Sequence, residues 1–263
     1  MAMDRESIRR YGDELYEALA GRYTVEPLTD REPEIGIDDA YHISMRMLAR
    51  REQAGERVIG KKIGVTSHAV QSMLDVHQPD FGYLTDSMVY GNGDELPISE
   101  RLIAARAEGE LAFILRHDLA GPGVTNADVL RATECVMPCF EIVDSRIRDW
   151  NIRIQDTVAD NASCGLFVLG DRAVDPRDVD FVTCGMVVEK NGEVVSTGAG
   201  AAALGSPVNC VAWLANTLGG FGISLQAGEV ILSGSLVPLQ PVEPGESMHV
   251  SVGGVGTASV RFV

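Results

Sequence analysis

The chain has 263 residues, 45% of them hydrophobic, and a formal net charge of −16 at pH 7. That length suits one large domain or a main domain with a smaller part attached, and the negative charge argues against nucleic acid, whose phosphates it would repel. No apolar run approaches a membrane span, and the start, MAMDRESIRRYGDELYEAL, mixes acids and bases unlike a secretory leader, so a cytoplasmic protein is expected.

The first sixty residues read as helical. Ile8, Tyr11, Leu15 and Leu19 recur at helical spacing and stop near Gly21. A second helix is expected from Asp38 or Asp39 as N-cap, carrying Tyr41, Met45 and Leu48 inward and ending at Gly55. From Val58 the texture changes to short strands: VIGKKIGV, then a short helix SHAVQSML, then the turn-rich HQPDFGYLTD. Farther on, TNADVLRATE and SPVNCVAWLANTLGG read as helices, the second with Pro207 in its first turn. MVVEKNGEVVSTG reads as a hairpin turning at Asn191-Gly192, and EVILSGS and MHVSVGGVGTASVRFV as the last strands. The expected class is α+β, with a small helical N-terminal part over 1–60 and a β-rich part over 61–263.

The five cysteines, Cys135, Cys139, Cys164, Cys184 and Cys210, are odd in number and scattered among apolar neighbours. Cys135 and Cys139 lack the second pair a zinc knuckle needs, so all five read as small core residues of a reducing compartment.

The polar residues that interrupt apolar strands are the candidates for chemistry. In RAEGELAFIL, Glu108 and Glu110 point the same way, about 7 Å apart along the strand, and Gly109 between them permits a close backbone approach. Glu141 interrupts a second apolar strand, MPCFEIVDSR. Three carboxylates in an apolar setting suit a hard divalent cation, Mg²⁺ or Mn²⁺. In IGKKIG, Lys62 shares a strand face with Gly60 and Gly64, where a ligand has room. A dry pocket or a nearby metal there disfavours its charged form and tunes it for proton transfer. Lys61 faces the other way between Ile59 and Ile63, and is expected to send its ammonium to solvent. Asp80 follows Pro79 in what reads as a constrained turn, and QDTVADNASCG reads as a polar loop that brings Asp156, Asp160, Asn161 and Ser163 to a strand start. None of the five histidines falls at metal or triad spacing, and no nucleophile elbow, P-loop or dinucleotide fingerprint appears.

Taken together, AEGE, FEIVDSR, GKKIGVTS, QPDFGYL and VADNAS resemble the fumarylacetoacetate hydrolase superfamily, and within it the hydratase/decarboxylase branch of aromatic meta-cleavage pathways, over nearly the whole chain. The resemblance implies a distorted β-roll or barrel core with a smaller helical N-terminal part, assembled as a homo-oligomer. It implies that Glu108, Glu110 and Glu141 are the metal ligands, that Lys62 and Asp80 are catalytic, and that Ser163 is the loop serine of the site. The implied activity is metal-dependent addition of water to 2-hydroxypenta-2,4-dienoate, a small 2-oxo acid in its enol form. The His–Glu pair of the hydrolytic members is missing, which favours water addition over C–C hydrolysis. A complex with the 4-oxalocrotonate decarboxylase of the branch is a further implied partnership. Two other readings stand beside this one. That decarboxylase activity would use the same metal and a similar enolate, whereas a non-catalytic scaffold would have no use for repelling buried acids.

Overall fold

The structure is a computed structural model describing residues 3–73 and 75–263. Helix α1 (Arg5–Gly21) starts at Asp4, whose carboxylate accepts the Ser7 N–H, and buries Tyr11, Leu15 and Ala18 as the periodicity requires. A single turn, α2 (Leu28–Arg31), leads to α3 (Ile37–Gln53). Its cap is Gly36 rather than Asp38 or Asp39; Asp39 sits in the first turn and accepts the Gly36 N–H at 3.1 Å. Met45, expected inward, is exposed, because the buried stripe of α3 runs through Ala40, Ile43, Met47 and Arg51. There α1 crosses closely: a Cβ on Gly12 would lie 2.6 Å from the Arg46 Cβ.

The chain then runs through β1 (Val58–Gly64), α4 (His68–Met73), β2 (Asp80–Thr85), β3 (Val89–Tyr90), β4 (Glu95–Leu96) and α5 (Ile98–Arg101). Next come β5 (Arg106–Leu115), α6 (Asn126–Ala132), β6 (Thr133–Val143), α7 (Ile154–Ala159) and β7 (Cys164–Leu169). The hairpin β8 (Gly185–Lys190) and β9 (Glu193–Ala199) follows, then α8 (Pro207–Gly220), β10 (Val230–Leu232), β11 (Gln240–Pro241), β12 (Ser247–Val252) and β13 (Gly256–Phe262). Leu74, expected to close the short helix, lies outside the described residues. Asn191 and Gly192 turn the hairpin with φ of 53° and 84°, as a type I′ turn needs.

Among the described residues the strands form two sheets. One has the order β2-β1-β10-β5-β6-β7-β3, with β11 added beside β5; the other has the order β4-β13-β12-β8-β9. The result is the expected α+β fold, a curled sheet with a helical N-terminal layer. The main core joins that layer to both sheets through residues such as Tyr11, Ile43, Phe113, Phe140, Val211 and Phe262. A smaller cluster, Leu84, Met88, Ala112, Cys139, Cys164, Phe167 and Leu232, fills the other side of the large sheet. Its members share a face with Lys62, Glu108 and Glu110, so the roll is filled beside the acids by apolar side chains.

Two segments differ from expectation. HQPDFGYLTD is not mainly a turn: from Asp80 it is β2, with all six residues buried against β1. QDTVADNASCG is not a loop but α7 followed by a tight 3₁₀ turn, Asn161–Ser163, whose three residues all have φ near +50°. Apolar alternation is masked in both, because the buried positions are taken by polar residues that find partners only in three dimensions.

Lys61 also departs from expectation. It is buried and ion-paired with Glu229, its ammonium 5.9 Å from the centre of the Tyr83 ring. The parallel pairing of β1 with β10 sets Lys61 beside Ile231, two residues past Glu229, so its ammonium meets a counter-charge instead of water. Removing one partner of a buried pair strands the other, so Lys61→Met should lower stability by about 3 kcal/mol. Adding Glu229→Gln should recover most of that loss. Urea unfolding of the single and double variants checks this, and an unchanged midpoint for Lys61→Met would overturn it.

Candidate active site

The site is built on the pairing of β5 with β6, which places Glu108 directly opposite Glu141 and Glu110 opposite Cys139. Glu108 and Glu110 share a face by alternation, and the register brings Glu141 onto that same face. One carboxylate oxygen from each of Glu108, Glu110 and Glu141 lies within 4.8 Å of the other two. Glu110 and Glu141 are fully buried and Glu108 is half-buried. Gly109 does admit a close approach, though by side chains: a Cβ there would lie 2.6 Å from the Met186 sulfur.

On the neighbouring strands, Lys62 Nζ lies 3.0 Å from Glu141 Oε1 as a buried ion pair. Asp80, the first residue of β2, pairs with Gly64, and this glycine clears the space for both side chains. A Cβ on Gly64 would lie 2.3 Å from Asp80 Oδ1 and 3.4 Å from Lys62 Nζ. Gly60, the other glycine on the Lys62 face, instead admits the backbone of β10, with the Val230 oxygen 2.0 Å from where its Cβ would be. The loop after β10 supports the acids: the Gly234 N–H donates to Glu110 Oε2 at 2.9 Å.

Ser163 lies apart from this convergence. It is buried at the end of the 3₁₀ turn, its hydroxyl 3.0 Å from that of Thr157, one residue before Cys164, which lies beside Glu141. Three successive left-handed residues are costly, and they are held from both sides. Asn161 exchanges two hydrogen bonds with the backbone of Tyr83, and Arg146 grips Asp160 through its side chain and backbone carbonyl. Asp156 reaches back to Thr29 of α2, accepting from its N–H and its hydroxyl. Arg146 and Asp144, which anchors the 103–104 backbone, were not singled out from the sequence. Their signal was there, as three successive polar residues ending an apolar strand in FEIVDSR.

The electrostatics follow from burial. Desolvation pushes Glu108, Glu110 and Glu141 above the usual carboxylate range; their mutual repulsion adds to this for Glu108 and Glu110, while Lys62 pulls all three back. Burial likewise carries Asp80 up to about 6, against the pull of Lys62. For Lys62 burial works against the charge, but Glu141 and Asp80 outweigh it, so with these acids alone its ammonium form is favoured, not disfavoured as expected.

The donor set fits a hard divalent cation. All three side chains offer carboxylate oxygens, and Glu110 Oε1 and Glu141 Oε2 have no hydrogen-bond partner among the described residues. No other group of three acidic, histidine or cysteine side chains converges in this way among the described residues.

Comparison with known proteins shows the family. The profile of the Fumarylacetoacetate (FAA) hydrolase C-terminal domain matches residues 57–263, so the chain belongs to that family. It is similar to a 2-hydroxypent-2,4-dienoate hydratase of Pseudomonas putida, 75% identical over 84% of this chain and 100% of the relative. It is 58% identical to a 2-hydroxyhexa-2,4-dienoate hydratase of Comamonas testosteroni, over 98% of each. Its backbone superposes on 4-oxalocrotonate decarboxylase from Pseudomonas putida G7, complexed with magnesium and adipate, with a TM-score of 0.96 and 35% identity over 100% of this chain and 99% of that one.

A pH dependence follows. A carboxylate whose folded value is raised binds its proton more tightly in the folded state, so its contribution is present below the unfolded value and is lost as pH rises through the folded one. Without divalent cation, stability should therefore fall from about pH 5 to pH 8. Thermal unfolding in chelator should show this fall, Mg²⁺ should flatten it, and Glu110→Gln should flatten it without Mg²⁺. A metal-free wild type whose stability rises over that window would contradict the assignment.

Proposed function

We propose that this chain hydrates 2-hydroxypenta-2,4-dienoate to 4-hydroxy-2-oxopentanoate in aromatic meta-cleavage catabolism, using Mg²⁺ or Mn²⁺ held by Glu108, Glu110 and Glu141. The observation that carries this reading is the convergence of three buried carboxylates beside a buried lysine, in a chain 58–75% identical to dienoate hydratases. A bound divalent cation supplies a Lewis acid for the C1 carboxylate and C2 oxygen of a 2-oxo acid.

The rest of the work is proton handling. The dienol gives up its O2 proton and gains one at C5, which leaves a 2-oxo-3-enoate; water then adds its oxygen at C4 and a proton at C3. Both steps need groups that exchange protons near neutral pH at fixed positions. Asp80, raised to about 6, is the one that changes charge near neutral pH, and Lys62, whose ammonium the acids favour until a bound cation would offset their charge, shares the transfers with it, both side chains converging over Gly64. Ser163, one residue before the Cys164 that lies beside Glu141, orients the substrate. The apolar cluster from Leu84 to Leu232 keeps water away from the rear of the acids.

The second reading, decarboxylation of 4-oxalocrotonate, is supported by the 0.96 TM-score to that enzyme. The sequence identities weigh against it: 35% to the decarboxylase, against 58% and 75% to the hydratases. The protein works in the cytoplasm as a homo-oligomer, in complex with the decarboxylase of its pathway, so that an unstable dienol is handed on before it tautomerises. Light scattering showing a monomer would remove the first claim, and failure to co-purify would remove the second.

The direct test is a spectrophotometric assay with freshly generated 2-hydroxypenta-2,4-dienoate, with and without Mg²⁺ or Mn²⁺. Turnover should be lost in chelator and return with the metal. Lys62→Met should lower kcat by about 10²-fold or more, the scale for losing a positioned proton-transfer group. Lys61→Met, wherever it remains folded, should stay within about tenfold of wild type. A larger loss at Lys61 would mean that the wrong lysine has been assigned.

A further inference from the structure

Among the described residues, strand β2 pairs with β1 alone, so its outward backbone groups need partners from outside the sheet. At Tyr83 both partners come from one side chain. The Tyr83 N–H donates to Asn161 Oδ1 at 2.8 Å and its carbonyl accepts from Asn161 Nδ2 at 3.0 Å, much as an added strand would pair. Asn161 is buried and opens the left-handed turn Asn161–Ser163, its own φ being 53°. Its main chain makes a second contact with β2. Gly82 stands opposite Lys62 in the β1–β2 register, so the two share the face that bears the acids. A Cβ on Gly82 would lie 2.4 Å from the Asn161 carbonyl oxygen and 3.3 Å from the Ala162 Cβ. The turn therefore takes the place that a side chain opposite Lys62 would fill.

Ser163, the last residue of that turn, is tied on the other side: its carbonyl accepts from the N–H of Asp144, just past β6, at 2.9 Å. The turn is thus anchored to the strand that carries Asp80 and to the end of the strand that carries Glu141. We propose that Asn161 is a positioning residue: its amide clips the turn to the free edge of β2 and so fixes Ser163 relative to Lys62 and Asp80. Asparagine suits the position on two counts. It adopts the left-handed backbone more readily than most residues, and its amide offers one donor and one acceptor, matching the free N–H and C=O of a single strand residue. Gly82 completes the clip by leaving the space into which the turn fits. This inference rests on the reading of Ser163 as the residue that orients the substrate.

The experiment compares Asn161→Gly, Asn161→Asp, Ser163→Ala and the two double variants in the full-length, Mg²⁺-loaded protein. It measures kcat and KM for 2-hydroxypenta-2,4-dienoate across pH, and Mg²⁺ affinity by calorimetry. Ser163→Ala should lower kcat/KM about tenfold, the scale of one lost hydrogen bond to substrate. Asn161→Gly keeps the left-handed backbone and removes only the clip. It should lower kcat/KM by a similar factor, with Mg²⁺ affinity held, because β5 and β6 carry the three glutamates. In the Ser163→Ala background the same change should cost less than about twofold. Asn161→Asp serves where the glycine variant does not fold. It keeps the acceptor, and its kcat/KM relative to wild type should fall as pH rises, because only the protonated acid can donate to the Tyr83 carbonyl. Wild-type kcat/KM in both Asn161 variants, or an undiminished loss in the Ser163→Ala background, would overturn the inference while leaving Ser163 in place. Wild-type turnover by Ser163→Ala would remove the reading of Ser163 itself, and this inference with it.

Discussion

Like-charge repulsion among Glu108, Glu110 and Glu141 is the constraint around which the rest of the molecule is arranged. With oxygens within 4.8 Å of one another, each ionised pair costs about 3–4 kcal/mol at the effective dielectric of a protein site. Three such pairs amount to a sum comparable with the whole stability of a domain, about 5–15 kcal/mol. Lys62 supplies one positive charge, and the Gly234 N–H supplies part of another. The remainder must come from bound protons or from a cation, and the choice between them sets the pH behaviour of the protein.

Such a cluster persists only where the backbone leaves it no way to relax. The eleven-residue strand β6 runs beside β5 with Glu108 and Glu141 directly opposed, and both strands are covered on each face by apolar side chains. A one-residue slip would turn Glu141 into the main core, so burial of the alternate residues Phe140 and Ile142 fixes the register that creates the repulsion. Gly64 removes the side chain that would displace Asp80, and Arg146 with Asp160 braces the strained turn at Asn161. Stability is drawn from the core and concentrated as electrostatic strain at one place.

Much of this was legible in the sequence. The alternation in RAEGELAFIL placed Glu108 and Glu110 on one face, the glycines of GKKIG separated Lys62 from Lys61, and Asn-Gly marked its hairpin, because each depends only on neighbours along the chain. What could not be read depends on distant partners. Lys61 looked solvent-bound because Glu229, 168 positions away, was invisible to a local pattern. Asp80 looked like a turn residue because a buried acid opening an edge strand makes sense only once Lys62 and Gly64 lie beside it. Met45 was misplaced because Arg51 occupies a buried position on α3, and an arginine is inside only when a carboxylate such as Glu56 meets it.

The backbone alone does not choose the reaction. A decarboxylase complexed with magnesium shares this fold almost superimposably at 35% identity, so a rolled sheet of this shape is compatible with more than one fate for a 2-oxo acid. Hydration and decarboxylation of such acids both pass charge onto the C2 oxygen; they differ in which carbon then receives a proton and whether water is delivered to C4. Those differences are set by groups that hold protons at fixed points around the acids, not by the acids themselves. In this chain the groups proposed for that work come from separate places: Lys62 and Asp80 from the rolled sheet and Ser163 from a strained turn braced by Arg146. Changing those walls of the site while Glu108, Glu110 and Glu141 stay in place would redirect the reaction, which is why the residues that separate the two chemistries should lie on β1, β2 and the turn before β7.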